Sequence, residues 1–156
     1  MARSRVSAFL KIIRDHEAKG SENPYLELHW DGKRHISFSD FSAHPYANGE
    51  NKPAGAYQIK KETFNDVVKA TGWPTRYAAF DQDRVAIYLL QARSKPDSEP
   101  RRLALGYIME GEIEQAVNDT KLWKLFAFLP GGGKQQQLTM DQLNQLFNAY
   151  LVEHLK

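Results

Sequence analysis

Apolar residues near the start of the chain recur at helical spacing, with Val6, Phe9, Leu10 and Ile13 on one stripe. Extended by four residues, the stripe reaches Glu17, an acid where an apolar residue is expected. Gly20 follows as a helix stop, which places Glu17 in the last turn, near the negative end of the helix dipole. Partial burial and that dipole both disfavour a carboxylate. The pattern therefore predicts a raised pKa, as a general acid working near neutral pH requires. The rival reading is the ordinary one, a solvated Glu whose stem covers apolar surface, and the helix alone does not separate the two.

The next segments change period. Residues 21–24 are turn-rich, and strand-prone residues at 25–30 and 33–38 flank Asp31-Gly32. A two-residue hairpin is predicted, with Trp30 opposite Lys33 and Glu27 opposite Ile36. Tyr25, Glu27 and His29 then share a face that can wall a cleft entered by Glu17; the alternative is a solvated hairpin. Residues 39–51 lack periodicity and read as a long loop. In the stretch 54–59, two alanines flank Gly55 before Tyr57 and Gln58, which offer a ring face and an amide of the kind that suit a sugar.

The remainder reads as helical. Phe64, Val67 and Val68 mark a helix ending near Gly72, and Trp73-Pro74 fixes the break. Asp81 is placed to cap a helix holding Val85, Ile87, Tyr88, Leu89 and Leu90. Residues 95–100 form a surface loop, 103–109 and 113–117 short helices joined at Glu110-Gly111, and 122–129 an aromatic part of the core. Thr139 or Asp141 opens a last helix with Leu143, Leu146, Phe147, Tyr150 and Leu151.

Composition narrows the chemistry. A chain of 156 residues fits a single domain, with room for two lobes sharing a cleft. Lys11, Arg14, Asp15 and Glu17 interrupt what would be the apolar part of a signal peptide, and no apolar run is long enough to span a bilayer. The expectation is synthesis in the cytoplasm without a signal peptide and no membrane insertion. The absence of cysteine removes disulfides, thiolate metal sites and a cysteine nucleophile. A net charge of +2, from 21 basic and 19 acidic residues, gives no footprint of a nucleic-acid binder.

Three motif-based chemistries fail. His16-Glu17 lacks the second His of a zinc-peptidase helix, and the five histidines form no metal pattern. The Gly131–Lys134 run has Phe128 where a phosphate loop needs Gly and Gln135 where it needs Ser or Thr. No Ser sits in a Gly-x-Ser-x-Gly elbow. Carboxylate acid and base chemistry remains, with no metal and no cofactor.

Several short motifs, in order, resemble those of the lambda-phage endolysin family. Phe9-Leu10 followed by Glu17 is similar to that family's first helix, and Phe38-Ser39-Asp40-Phe41-Ser42 with His44-Pro45 is similar to its segment after the hairpin. The stretch from Ala54 to Ile59 resembles its Gly-rich Tyr-Gln segment. Ala104-Leu105, Gly111, Ile113, Gln115-Ala116, Trp123 and Leu129-Pro130-Gly131 follow in the family's order. The resemblance implies a lysozyme-like α+β fold, with a mainly helical lobe, a small β-hairpin lobe and a cleft between them.

It also implies a monomeric peptidoglycan lytic transglycosylase that acts on the periplasmic glycan strand after release or delivery. Glu17 is the implied catalytic acid and base, cutting between N-acetylmuramic acid and N-acetylglucosamine to leave a 1,6-anhydro end. A hydrolytic muramidase and a non-catalytic glycan-binding module of the same fold are the alternatives. Glu27 is the candidate supporting carboxylate, with Asp31 second, and Tyr57, Gln58 and Gln135 are the remaining candidate substrate contacts. The chain departs from the family in a longer hairpin and in the lack of an aromatic after Leu-Pro-Gly, where Lys134 and Gln135 stand.

Overall fold

In the computed structural model, which describes residues 1–133 and 137–156, the chain divides into two compact units. One comprises residues 1–13 and 87–156, the other residues 14–86. The chain passes between them inside two helices, α1 (Ala2–Glu17) and α3 (Ala79–Ala92).

The first unit is helical. The apolar stripe of α1 contributes Phe9, Ile12 and Ile13, all fully buried, and α3 contributes Leu90. The short helices α4 (Ala104–Glu110) and α5 (Ile113–Asn118) add Ile108 and Val117, separated by Gly111 in the left-handed conformation that ends α4. Arg5 Nη1 donates to the Met109 carbonyl at 2.9 Å, satisfying an acceptor in the last turn of α4. Leu122, Phe126, Phe128 and Leu129 are buried as the sequence predicts, while Trp123 stays half-buried. Helix α6 (Met140–Leu155) starts at Thr139, whose side chain accepts from Gln142 N at 3.1 Å while Gln142 Oε1 accepts from Thr139 N at 2.9 Å.

The second unit holds both β-ribbons. Strands β1 (Glu27–Trp30) and β2 (His35–Ser37) pair antiparallel, and β3 (Pro53–Ala54) pairs with β4 (Ile59–Lys60). Helix α2 (Lys61–Thr71) follows β4 and buries Phe64 and Val67 before Gly72 ends it. Tyr77 is fully buried, and its hydroxyl donates to the Ala54 carbonyl at 2.7 Å.

The hairpin differs from its predicted register. Trp30 pairs with His35 instead of Lys33, because residues 31–34 form a four-residue loop closed by Asp31 N to Arg34 O at 3.1 Å. Asp31 Oδ1 accepts from the Lys33 and Arg34 amides at 2.9 Å each, so the Asp side chain itself shapes the turn. These two bonds also hold its carboxyl below the usual range. A bulge at Leu28 shifts the pairing again, setting Glu27 opposite Ser37 and not Ile36. Alternation breaks there. Glu27 turns inward and is 3% exposed, whereas His29 faces solvent, so the predicted shared face does not form.

Helix α3 also starts earlier than predicted. Asp81 lies inside its first turn and accepts from the Ala78 amide at 3.1 Å, and its carboxylate lies 3.4 Å from both Arg76 and Arg84. The next residue, Gln82, is fully buried. Its Oε1 accepts from Ala56 N at 2.8 Å, and its Nε2 donates to the Tyr25 and Tyr77 carbonyls at 3.0 Å each. Gly55, beside Ala56, has φ +83°, and a Cβ there would lie 2.2 Å from Gln82 Oε1. Gly55→Ala is therefore expected to destabilise by about 2–4 kcal/mol, combining left-handed strain with a displaced Gln82 and an orphaned amide. Gly72→Ala, at φ +72° with open space around it, should cost only about 1 kcal/mol, both changes being read from urea unfolding curves.

The long loop at 39–51 contains no helix or strand and is anchored by His44, 3% exposed. Its Nε2 donates to the Ile59 carbonyl at 2.8 Å, and its Nδ1 accepts from Tyr46 N at 3.2 Å, which fixes a neutral ring. Burial pushes its pKa down, the Ile59 carbonyl offsets part of that, and the Lys61 charge adds to it. A depressed folded-state pKa means that the unfolded chain takes up the proton first as pH falls. The stability contributed by His44 is thus complete above the unfolded value of about 6.5 and is lost progressively below it. Urea midpoints measured from pH 7 to pH 5 should fall more steeply for the native protein than for His44→Gln, which starts lower at pH 7.

Candidate functional site

Glu17 is the final residue of α1 and is half-buried. Gly20, at φ +79°, turns the chain away three residues later, as the sequence predicts. One turn before Glu17, at the i,i+3 spacing that puts side chains on one face, stands Arg14. Arg14 Nη1 donates to the Tyr57 hydroxyl at 3.0 Å, and its guanidinium lies 5.9 Å from the Tyr25 ring and 6.0 Å from the Tyr57 ring. The terminal turn of the helix is thereby tied to the segment between β3 and β4.

Asp83 completes the network. One of its oxygens accepts from the Tyr57 hydroxyl at 2.5 Å and from the Tyr25 hydroxyl at 2.7 Å. Burial raises the Tyr57 pKa strongly, with Arg14 opposing and the bond to Asp83 reinforcing the shift. Tyr25 is raised by burial and by its own bond to Asp83. Both phenols therefore remain protonated donors to a single carboxylate.

Of the residues singled out from sequence, Tyr57 has a corrected role. Its ring is only 1% exposed, so no open face is offered to a sugar; two small neighbours, Ala54 and Ala56, let it pack inward instead. Gln58 occupies a left-handed conformation at φ 48°, and its Nε2 closes the local turn onto the Gly55 carbonyl at 2.9 Å. Half its amide is thus committed to the turn. Glu27 is buried against His35, whose Nδ1 lies 3.0 Å from one carboxylate oxygen and 2.9 Å from the other. Glu27, the first candidate for a supporting carboxylate, is thus covered, whereas Asp31, the second, lies exposed in the hairpin loop. Gln135 lies outside the described residues.

Sequence reading missed Arg14, Asp83 and His35. Arg14 carried a usable signal, its spacing from Glu17. Asp83 carried a weaker one, as the last acid of a polar run opening an otherwise apolar helix. Among the described residues, no group of three or more His, Asp or Glu side chains is placed to hold a metal ion.

A helical unit, two short antiparallel ribbons and an acid closing the first helix define a lysozyme-like protein. The structure superposes on bacteriophage lambda lysozyme, solved in complex with a chitohexasaccharide, with a TM-score of 0.71 and 24% identity over 94% of each chain. The sequence profile of the endolysin family matches residues 7–153, and the chain belongs to that family of peptidoglycan-cleaving enzymes. No curated relative matches it.

Asp83→Ala would leave two phenol groups, the buried Tyr57 and the half-buried Tyr25, without their acceptor. A loss of about 2–4 kcal/mol in unfolding free energy is expected. Tyr57→Phe, which removes one donor and the Arg14 contact, should lose about 1–2 kcal/mol in the same measurement.

Proposed function

We propose that this endolysin is a lytic transglycosylase in which Glu17 serves as both acid and base. The reading rests on one observation: both hairpin acids are committed elsewhere. Glu27 is buried against His35, and Asp31 is bonded to the amides of its own loop with Arg34 Nε 3.9 Å from its second oxygen. Glycoside hydrolysis ordinarily uses two carboxylates, one as acid and the other as nucleophile or as base for water. An intramolecular transfer can proceed with one.

In the first step, the Glu17 carboxyl donates its proton to the oxygen linking muramic C1 to the next sugar, and the C1–O bond breaks. Charge develops on C1 and its ring oxygen, while Glu17 becomes a carboxylate. That carboxylate then takes the proton of the muramic C6 hydroxyl as O6 bonds to C1, closing the 1,6-anhydro ring and restoring the acid. No water enters. The position of Glu17 supports the first step, since its half-buried carboxyl closes α1 in a turn that the Arg14–Tyr57 hydrogen bond holds in place. The chitohexasaccharide carried by the lambda lysozyme supports a β-1,4-linked amino-sugar strand as substrate.

Mass analysis of muropeptides released from purified murein tests the reading. Anhydro ends, one water lighter than reducing ends, are expected; reducing ends would assign the enzyme to the hydrolytic muramidases. Glu17→Gln keeps the shape but cannot donate the proton, so lysis of permeabilised cells should slow by roughly 10²–10⁴-fold with the far-ultraviolet circular dichroism unchanged. Undiminished lysis by this variant would remove Glu17 from the reaction.

A further inference from the structure

A pocket of about 420 Å3 opens between the segment that follows α1 and the hairpin, lined by Gly20, Glu22, Asn23, Trp30, Arg34 and His35. It begins three residues beyond Glu17, and the network around Tyr57 does not use it. Three features make it a built site rather than a surface dent. Trp30 is 57% exposed, a large indole left in the open beside His35, with ring centroids 4.9 Å apart. His35 is locked by Glu27, whose side chain is only 4% exposed and whose two oxygens both face Nδ1. That contact sends Nε2 to the other edge of the ring, against Gly20, where a Cβ would sit 3.3 Å away.

The charges in the lining are matched. Glu27 lies against His35, Asp31 lies 3.9 Å from Arg34, and Glu22 adds an acid to the wall. Such a pocket has no excess of positive charge to attract phosphate or a peptide carboxylate. It offers a flat aromatic face together with hydrogen-bonding groups. Asn23 accepts from Tyr25 N through Oδ1, which leaves its amide nitrogen as a donor, and His35 Nε2 supplies a further polar edge. A neutral ligand with one apolar face and a rim of hydroxyl and acetamido groups matches that combination.

We propose that this pocket is a subsite for one N-acetylhexosamine unit of the glycan strand, with Trp30 as the stacking platform, His35 and Asn23 as hydrogen-bonding partners, and Glu27 as the positioning residue that orients His35. The proposal rests on the glycan-cleaving reading above and extends it to a part of the hairpin that touches no reacting atom. It also gives Glu27 a different part from the one its sequence position suggests.

The test is calorimetric titration of chitotetraose into the Glu17→Gln protein, which binds without turnover. Adding Trp30→Ala should weaken binding about tenfold, and adding His35→Ala should weaken it several-fold. Phe80→Ala, which removes another exposed aromatic of the same unit, 66% exposed on α3, should leave affinity unchanged. Glu27→Gln keeps an acceptor but drops the charge. It should shift the His35 tautomer balance seen in imidazole nitrogen NMR and weaken the sugar, an effect that mere structural filling would not produce. Affinity within about twofold of the parent for both Trp30→Ala and His35→Ala overturns the proposal, as does the absence of saturable binding to the parent at millimolar sugar. The outcomes separate from those of the catalytic reading. Anhydro products with unchanged affinities would keep the transglycosylase and discard the subsite, and reducing-end products with a tenfold loss would do the reverse.

Discussion

The side chain of Gln82 is the constraint on which the second unit depends. A buried amide is costly unless its donors and acceptor are met, and here three segments meet them: the Ala56 amide, the Tyr25 carbonyl and the Tyr77 carbonyl. Those bonds fix the turn between β3 and β4, the start of the hairpin and the entry to α3 with respect to one another. Gly55 follows from the same constraint, because any side chain there would occupy the space of the amide oxygen. The hairpin is tied in by backbone as well, through Gly55 N to the Glu27 carbonyl at 2.7 Å.

With Gln82 in place, Asp83 beside it can gather two tyrosine hydroxyls, and Tyr57 in turn holds Arg14. The last turn of α1 is therefore pinned by side chains that sit far along the chain from it. Helix ends fray by default, so an acid in a terminal turn is poorly positioned unless something else holds that turn. In this protein the network does so, and Glu17 gains a defined place from it. Tyr57 acts as a strut for the last turn of α1 and is itself covered.

The hairpin shows how one inserted residue redirects side chains. Without the bulge at Leu28, Glu27 and His29 would point the same way and present an acid and an imidazole to solvent. With it, the acid goes inside and meets His35 from the opposite strand, while Trp30 remains outside. The carboxylate of Glu27 is thereby covered, and an oriented imidazole stands beside an exposed indole on the hairpin. The energetic reason for the pair is local: a carboxylate that is 97% covered needs a partner, and His35 is the group at hand.

The sequence by itself determined the elements whose cause is local. The stripe of α1, its stop at Gly20, the end of α2 at Gly72 and the capping box at Thr139 are each written in residues a few positions apart, because helix periodicity and capping act over single turns. Glu17 was visible for the same reason, as an acid on an apolar stripe. What depends on partners far along the chain was decided only by the tertiary structure. No local rule tells that Leu28 would bulge, that Tyr57 would be covered or that Arg14 would meet it forty-three residues away. Register, burial and pairing are settled by which distant groups can satisfy one another in a dry interior, and that information exists only once the chain has closed on itself.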